Sequence, residues 1–158
     1  MSIEISFATP DDASILHQFI VELAEYEKEP DAVEVVPETL RDQLASTSPP
    51  FEALVARWEG EPAGFALFFH NYSTWTGSRG LYLEDLLVSS GFRGLGIGRA
   101  LMVELAQIAR DRGCARFEWS VLDWNTPARE FYEHLGAKSK TDWMPYRLSG
   151  KALTALGT

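Results

Sequence analysis

The chain has 158 residues, 46% of them hydrophobic, which is enough for one domain with a real core and too apolar for a disordered chain. Its net charge of −9 disfavours general nucleic-acid and anionic-membrane binding and is compatible with a cationic substrate or with an ordinary acidic surface. No apolar run approaches the ~20 residues of a membrane span, and the single cysteine, Cys114, excludes an internal disulfide. Met1-Ser2-Ile3-Glu4 has neither a basic region nor an apolar core, so no signal peptide is expected and a cytoplasmic location fits.

In chain order, Ile3 to Phe7 alternates and predicts a strand. Thr9-Pro10-Asp11-Asp12 predicts a helix start, with Thr9 as cap and acids in the first turn. Ile15, Phe19, Leu23 and Tyr26 form that helix's apolar stripe, and it should end near Lys28, before Pro30. A short helix is predicted over Pro37 to Ala45, then strands over Glu52 to Trp58 and Gly64 to His70. Asn71 to Ser78 reads as a polar loop holding Tyr72 and Trp75, and Gly80 to Val88 as the fourth strand. The next helix runs from Ile97 to Arg112, with Ile97, Leu101, Leu105 and Ile108 on one face and Gly113 as its stop. Cys114 reads as a small residue entering a fifth strand, Arg116 to Leu122, rather than as a nucleophile. Pro127 opens a further helix whose buried face is Ala128, Phe131, Tyr132 and Leu135, and a last strand is predicted over Trp143 to Leu148. No repeat or linker interrupts residues 1–158, so a single domain is expected, of mixed α/β (α+β) class with a mostly antiparallel sheet.

The stretch Gly91-Phe92-Arg93-Gly94-Leu95-Gly96-Ile97-Gly98 joins the fourth strand to the long helix. Bare backbone N–H groups at a helix start suit a phosphate. The stretch lacks the lysine of a Walker A loop and the third glycine of a dinucleotide fingerprint, because Arg99 stands there. What remains is Arg-x-x-Gly-x-Gly, carried by Arg93, Gly96 and Gly98, although such a turn also occurs with no ligand. It resembles the pyrophosphate-binding signature of the GNAT acetyltransferase superfamily, which binds acetyl-CoA. The order of elements resembles the GNAT fold from end to end, which implies six to seven strands flanked by four helices.

Glu84 and Asp85 interrupt the fourth strand, and strand alternation would send them to opposite sides of the sheet. Burying an unpaired carboxylate is costly, so at least one should meet solvent, a cation or a ligand. Transfer of an acetyl group from a thioester to an amine needs a proton acceptor, a donor to the carbonyl oxygen and a proton for the thiolate. Glu84, acting directly or through water, backbone N–H groups near Leu86 to Val88, and the Tyr132 hydroxyl are the candidates for those three tasks.

Leu81 to Val88, Phe92 to Gly98, Trp124-Asn125-Thr126-Pro127 with Phe131-Tyr132, and Glu22 to Glu27 together resemble the diamine (spermidine/spermine-type, thialysine-type) N-acetyltransferase family. The resemblance implies that Leu86, Leu87 and Val88 present main chain to the acetyl group and pantetheine. It implies that Arg93, Gly94, Leu95, Gly96, Ile97, Gly98 and Arg99 hold the pyrophosphate, and that Asn125, Thr126, Pro127 and Ala128 line the CoA channel. Tyr132 would be the general acid and also touch the cofactor. Tyr26, Glu27, Glu84 and Asp85 would form the amine pocket, with Glu118, Trp119 and Ser120 at its border and Trp75 over it. The resemblance further implies a homodimer and no metal. One departure bears on substrate: the polyamine enzymes carry Glu-Glu-Gly-Trp-Arg before the last strand, whereas this chain has Met144-Pro145-Tyr146-Arg147 with only Asp142 nearby. A diamine, thialysine or a lysine-like amine therefore fits at least as well as spermine, and Arg79 or Arg147 would meet an amino acid's carboxylate. A non-catalytic acyl-CoA-binding module and an acetyltransferase of protein amino groups are the alternatives.

Overall fold

The computed structural model describes residues 2–158, which form two compact units, 2–120 and Val121–Thr158. The first unit is built on a five-stranded sheet in sequential order: β1 (Ile3–Phe7), β2 (Glu52–Trp58), β3 (Glu61–Ser73), β4 (Ser78–Val88) and β5 (Arg116–Trp119). The first four strands pair antiparallel, and β5 runs parallel to β4 after the crossover through α3 (Ile97–Asp111). The helices α1 (Ala13–Tyr26) and α2 (Pro37–Ala45) lie between β1 and β2 in the chain.

Two cores follow from the alternation of strand side chains. Val55, Phe65, Leu67 and Leu87 point to one face and pack with Leu16, Phe19 and Leu23 of α1 and Leu40 of α2. Phe19 stacks on Phe65 with ring centroids 5.5 Å apart. The other face takes α3, whose buried stripe is Ile97, Leu101, Met102, Leu105, Ile108 and Ala109. At the far end of that face Arg112 makes two hydrogen bonds to Glu52, of 2.6 and 2.9 Å, and sits over the Phe68 ring. The paired guanidinium holds the Glu52 carboxyl below its ordinary range. His70 joins this group through Arg112, and the Cys114 sulfur lies 3.8 Å from its Nδ1.

The second unit contains α4 (Thr126–His134) and α5 (Gly150–Leu156). Asn125 is its one buried polar residue, and its Oδ1 accepts the Ala128 N–H, so it caps α4.

Most predicted elements form, with corrections. Among the described residues there are five strands in the sheet and five α-helices, against six to seven and four. Residues 143–148 join no ladder among the described residues; Pro145 among them has no N–H to offer one. α5 has no counterpart among the predicted elements, since seven residues give barely two turns of pattern. Asn71 to Ser73 and Ser78 to Arg79 belong to the β3–β4 ladder, not to a loop, because ladder bonds use main chain and are indifferent to polar side chains. β5 stops at Trp119 rather than Leu122, where its pairing with β4 ends. In α1, Leu16 takes the fully buried place expected for Ile15, and Tyr26 is 38% exposed. A short 3-10 turn, Pro10–Asp12, delays the helix by one turn. The predicted inner face of α4 is half-buried, with no fully buried residue on that helix.

Candidate active site

The site begins at an irregularity in β4. Leu67 of β3 pairs with Asp85 and Phe68 with Leu83, so Glu84 is an extra residue opposite no partner. Such a bulge re-aims the side chains beyond it. Before it, Leu83 shares the face of Phe68, toward α3; after it, Asp85 and Leu87 share the face of Leu67, toward α1. An uninterrupted strand would have kept Leu83, Asp85 and Leu87 on one side. The bulge therefore turns Asp85 toward the end of α1, where Glu27 lies, and leaves Glu84 exposed beside it.

Three carboxylates consequently share one electrostatic neighbourhood. Burial, then Glu84, then Glu27, push the Asp85 carboxyl up to about 6. Burial, and secondarily Glu84, also raise Glu27 above the ordinary glutamate range. A buried carboxyl raised in this way accepts a proton near neutrality and is the complement of an ammonium group.

The same bulge coincides with the end of a ladder. The β4–β5 pairing stops at Leu83–Trp119, so beyond it Leu86, Leu87 and Val88 pair with β3 alone. No further strand takes their other edge among the described residues. Glu118 pairs with Tyr82 and Trp119 with Leu83, and the Ser120 hydroxyl lies 3.1 Å from that of Tyr82, so these three residues border the bulge.

After β4 the chain makes a 3-10 turn, Ser90–Phe92, and reaches α3 through Gly94 at φ 80° and Gly96 at φ 85°. Both glycines are required by this left-handed backbone, and a Cβ at either would meet open space rather than a neighbour. Gly96 is the N-cap, and the first helical bond runs from Ala100 N–H to Gly96 O, so the N–H groups of Ile97, Gly98 and Arg99 precede any helical acceptor. With Gly94, Leu95 and Arg99 exposed, this start offers donors and the positive end of a 15-residue helix to an anion. Arg93 turns back onto the protein: its Nε donates to Val88 O, and its guanidinium lies 5.2 Å over the Tyr26 ring.

The remaining candidates are distributed as follows. Tyr26 and Glu27 end α1 beside the acids. Trp75 is at the tip of the β3–β4 hairpin, 80% exposed, with Arg116 over its ring. Ten residues along the strand path separate it from Asp85, so the first unit does not bring it to the acids. Arg79 pairs with Tyr72 and acts on Glu52, about 20 Å along β4 from Asp85, and so cannot meet a substrate held by that acid. Asn125, Thr126, Pro127, Ala128 and Tyr132 belong to the second unit; Asn125 is a helix cap, and Tyr132 is half-buried with its ring 5.4 Å from that of Phe131. Glu22, which opens the Glu22 to Glu27 stretch but receives no role from the resemblance, accepts hydrogen bonds from the Ser89 hydroxyl and the Ser90 N–H. Its spacing of four residues before Tyr26 on one helix face was the available signal.

Residues 16–137 match the family described as "Acetyltransferase (GNAT) family". The chain is 40% identical to the thialysine N-epsilon-acetyltransferase of Sus scrofa, covering 98% of this chain and 97% of that protein. It is 39% identical to the protein of the same name from Caenorhabditis elegans, with 95% and 94% covered. Among solved structures, an integron cassette protein from V. cholerae superposes with a TM-score of 0.82 at 30% identity, over 99% of this chain and 98% of that one.

Proposed function

Since the chain belongs to the acetyltransferase (GNAT) family and is an acyltransferase whose reaction is acetyl transfer to an amine, we propose that it takes the acetyl group from acetyl-CoA and delivers it to the primary amine of a small cationic substrate, a diamine or a lysine-like ε-amine such as that of thialysine. The observation that carries this reading is the bulge at Glu84. It sets three carboxylates, Glu27, Glu84 and Asp85, next to the strand end Leu86–Val88 that leads into the glycine loop. The relatives named for thialysine support a lysine-like amine.

In the proposed reaction the N–H groups of Gly94 to Arg99 hold the diphosphate, and the edge of Leu86–Val88 lies along the pantetheine. Main-chain N–H groups there polarise the thioester carbonyl. An alkylammonium costs about 4–5 kcal/mol to deprotonate at pH 7. Glu84 takes that proton, directly or through water, while Asp85 and Glu27 hold the substrate's remaining positive charge. The amine nitrogen attacks the carbonyl carbon, the C–S bond breaks, Tyr132 gives its proton to the departing thiolate, and the second proton lost by the nitrogen as the amide forms restores the Tyr132 hydroxyl through solvent. Asn125 to Ala128 contribute to the cofactor's surroundings.

The test is release of free CoA thiol from acetyl-CoA with a panel of thialysine, lysine, ornithine, diamines, spermidine and lysine peptides. Turnover with the small amines and little with peptides is expected; preference for peptides would overturn the small-substrate reading. Tyr132→Phe should bind acetyl-CoA as the wild type does and lose about 10²-fold or more in kcat. Undiminished turnover would remove Tyr132 from the reaction.

A further inference from the structure

We infer that Glu22 is a positioning residue for acetyl-CoA: its carboxylate pins the turn after β4 to α1 and thereby fixes the glycine loop that follows. One carboxylate oxygen accepts the Ser89 hydroxyl at 2.8 Å and the other accepts the Ser90 N–H at 3.1 Å. Ser89 is tied on its other side to the sheet, its N–H donating to Ala63 O, and its own carbonyl accepts the Phe92 N–H to close the 3-10 turn. One helical turn further along α1, the Tyr26 ring lies against the Arg93 guanidinium, whose Nε returns to Val88 O. Residues 22 and 26 therefore share one face of α1 and hold the loop at residues 89, 90 and 93, immediately before Gly94 and Gly96.

This brace answers a physical need of the loop. A segment with glycines at positive φ has more backbone freedom to lose than any other sequence, and ordering it on binding weakens the ligand. A loop already fixed at its entry escapes most of that loss. Simple electrostatics gives the opposite expectation for Glu22, because an anion beside a diphosphate site repels the ligand. The brace reading assigns the carboxylate's value to its two acceptors. Glutamine can keep both contacts, its carbonyl accepting the Ser90 N–H and its amide donating to the Ser89 oxygen.

The inference rests on the reading of the glycine loop as the acetyl-CoA site, and the experiment separates the two. Amide hydrogen exchange over residues 89–98 is measured for wild type, Glu22→Ala, Glu22→Gln and Ser89→Ala, together with KM for acetyl-CoA, KM for the amine and kcat. Glu22→Ala should speed exchange in the loop and raise KM for acetyl-CoA about tenfold, the loss of roughly one charge-assisted hydrogen bond, with the amine KM within about twofold. Glu22→Gln should stay within about twofold of wild type in both, and Ser89→Ala combined with Glu22→Ala should be no worse than Glu22→Ala alone. Unchanged loop exchange in Glu22→Ala, equal rises in both KM values, or Glu22→Gln as impaired as Glu22→Ala would overturn the inference. Loop exchange decides the brace even in a protein that binds no acetyl-CoA, so failure of the functional reading gives a different result.

Discussion

Asp85 carries an internal cost for the folded chain. Its carboxyl titrates near 6 in the fold against 3.8 in the free side chain, so between those values the native state holds more protons than the unfolded one. Stability therefore falls as pH rises through this window, the reverse of the usual salt-bridged aspartate, by up to about 3 kcal/mol at pH 7. Glu27, raised in the same direction, adds to that slope. We predict that Asp85→Asn raises the unfolding free energy at pH 7 by about 2 kcal/mol, flattens the pH 4–6 slope, and raises the amine KM. Denaturant unfolding between pH 4 and 8 measures this; a variant less stable than wild type at pH 7 would contradict it. The sequence marks Asp85 as an acid interrupting an apolar strand, but the direction of its side chain depends on one extra residue in a ladder. Alternation alone sends Glu84 and Asp85 to opposite faces, and no property of Leu83-Glu84-Asp85 announces the bulge.

At the scale of elements, the hairpin between β2 and β3 shows local chemistry that was partly legible. Glu59 and Gly60 both have positive φ, 50° and 84°, the geometry of a type I′ turn. Gly60 adopts this freely, whereas Glu59 bears the left-handed penalty of a residue with a Cβ. We predict that Glu59→Asn stabilises the protein by about 0.5–1 kcal/mol, a rise of about 2–3 °C in Tm, without altering activity. An unchanged or lower Tm would show that the turn is not limiting. α3 was readable for a related reason: its apolar stripe repeats over 15 residues between a glycine cap and Gly113. Residues 143–148 show the converse. The expected strand over Trp143 to Leu148 enters no ladder among the described residues.

For the whole molecule, the proposed function implies that the net charge of −9 and the three clustered carboxylates would act together on a cationic amine. Salt shortens the reach of that attraction, so KM for a diamine should rise about threefold or more between low salt and 0.5 M, while kcat changes little. Steady-state kinetics across that range would detect it, and a flat profile would exclude charge as the basis of amine recognition. Composition and apolar periodicity determined by themselves a mixed α/β chain, and the acetyltransferase expectation came from the resemblance of its glycine stretch and later motifs to a known family, because each of these is a local property that the unfolded chain already carries. Glu22's hold on Ser89 and Ser90, the turn of Asp85 toward Glu27, and the remoteness of Trp75 and Arg79 from the acids were settled only by the tertiary structure. Those depend on which residues the sheet register brings together across separations of tens of positions, and a register shifted by one residue exchanges the faces of everything after it.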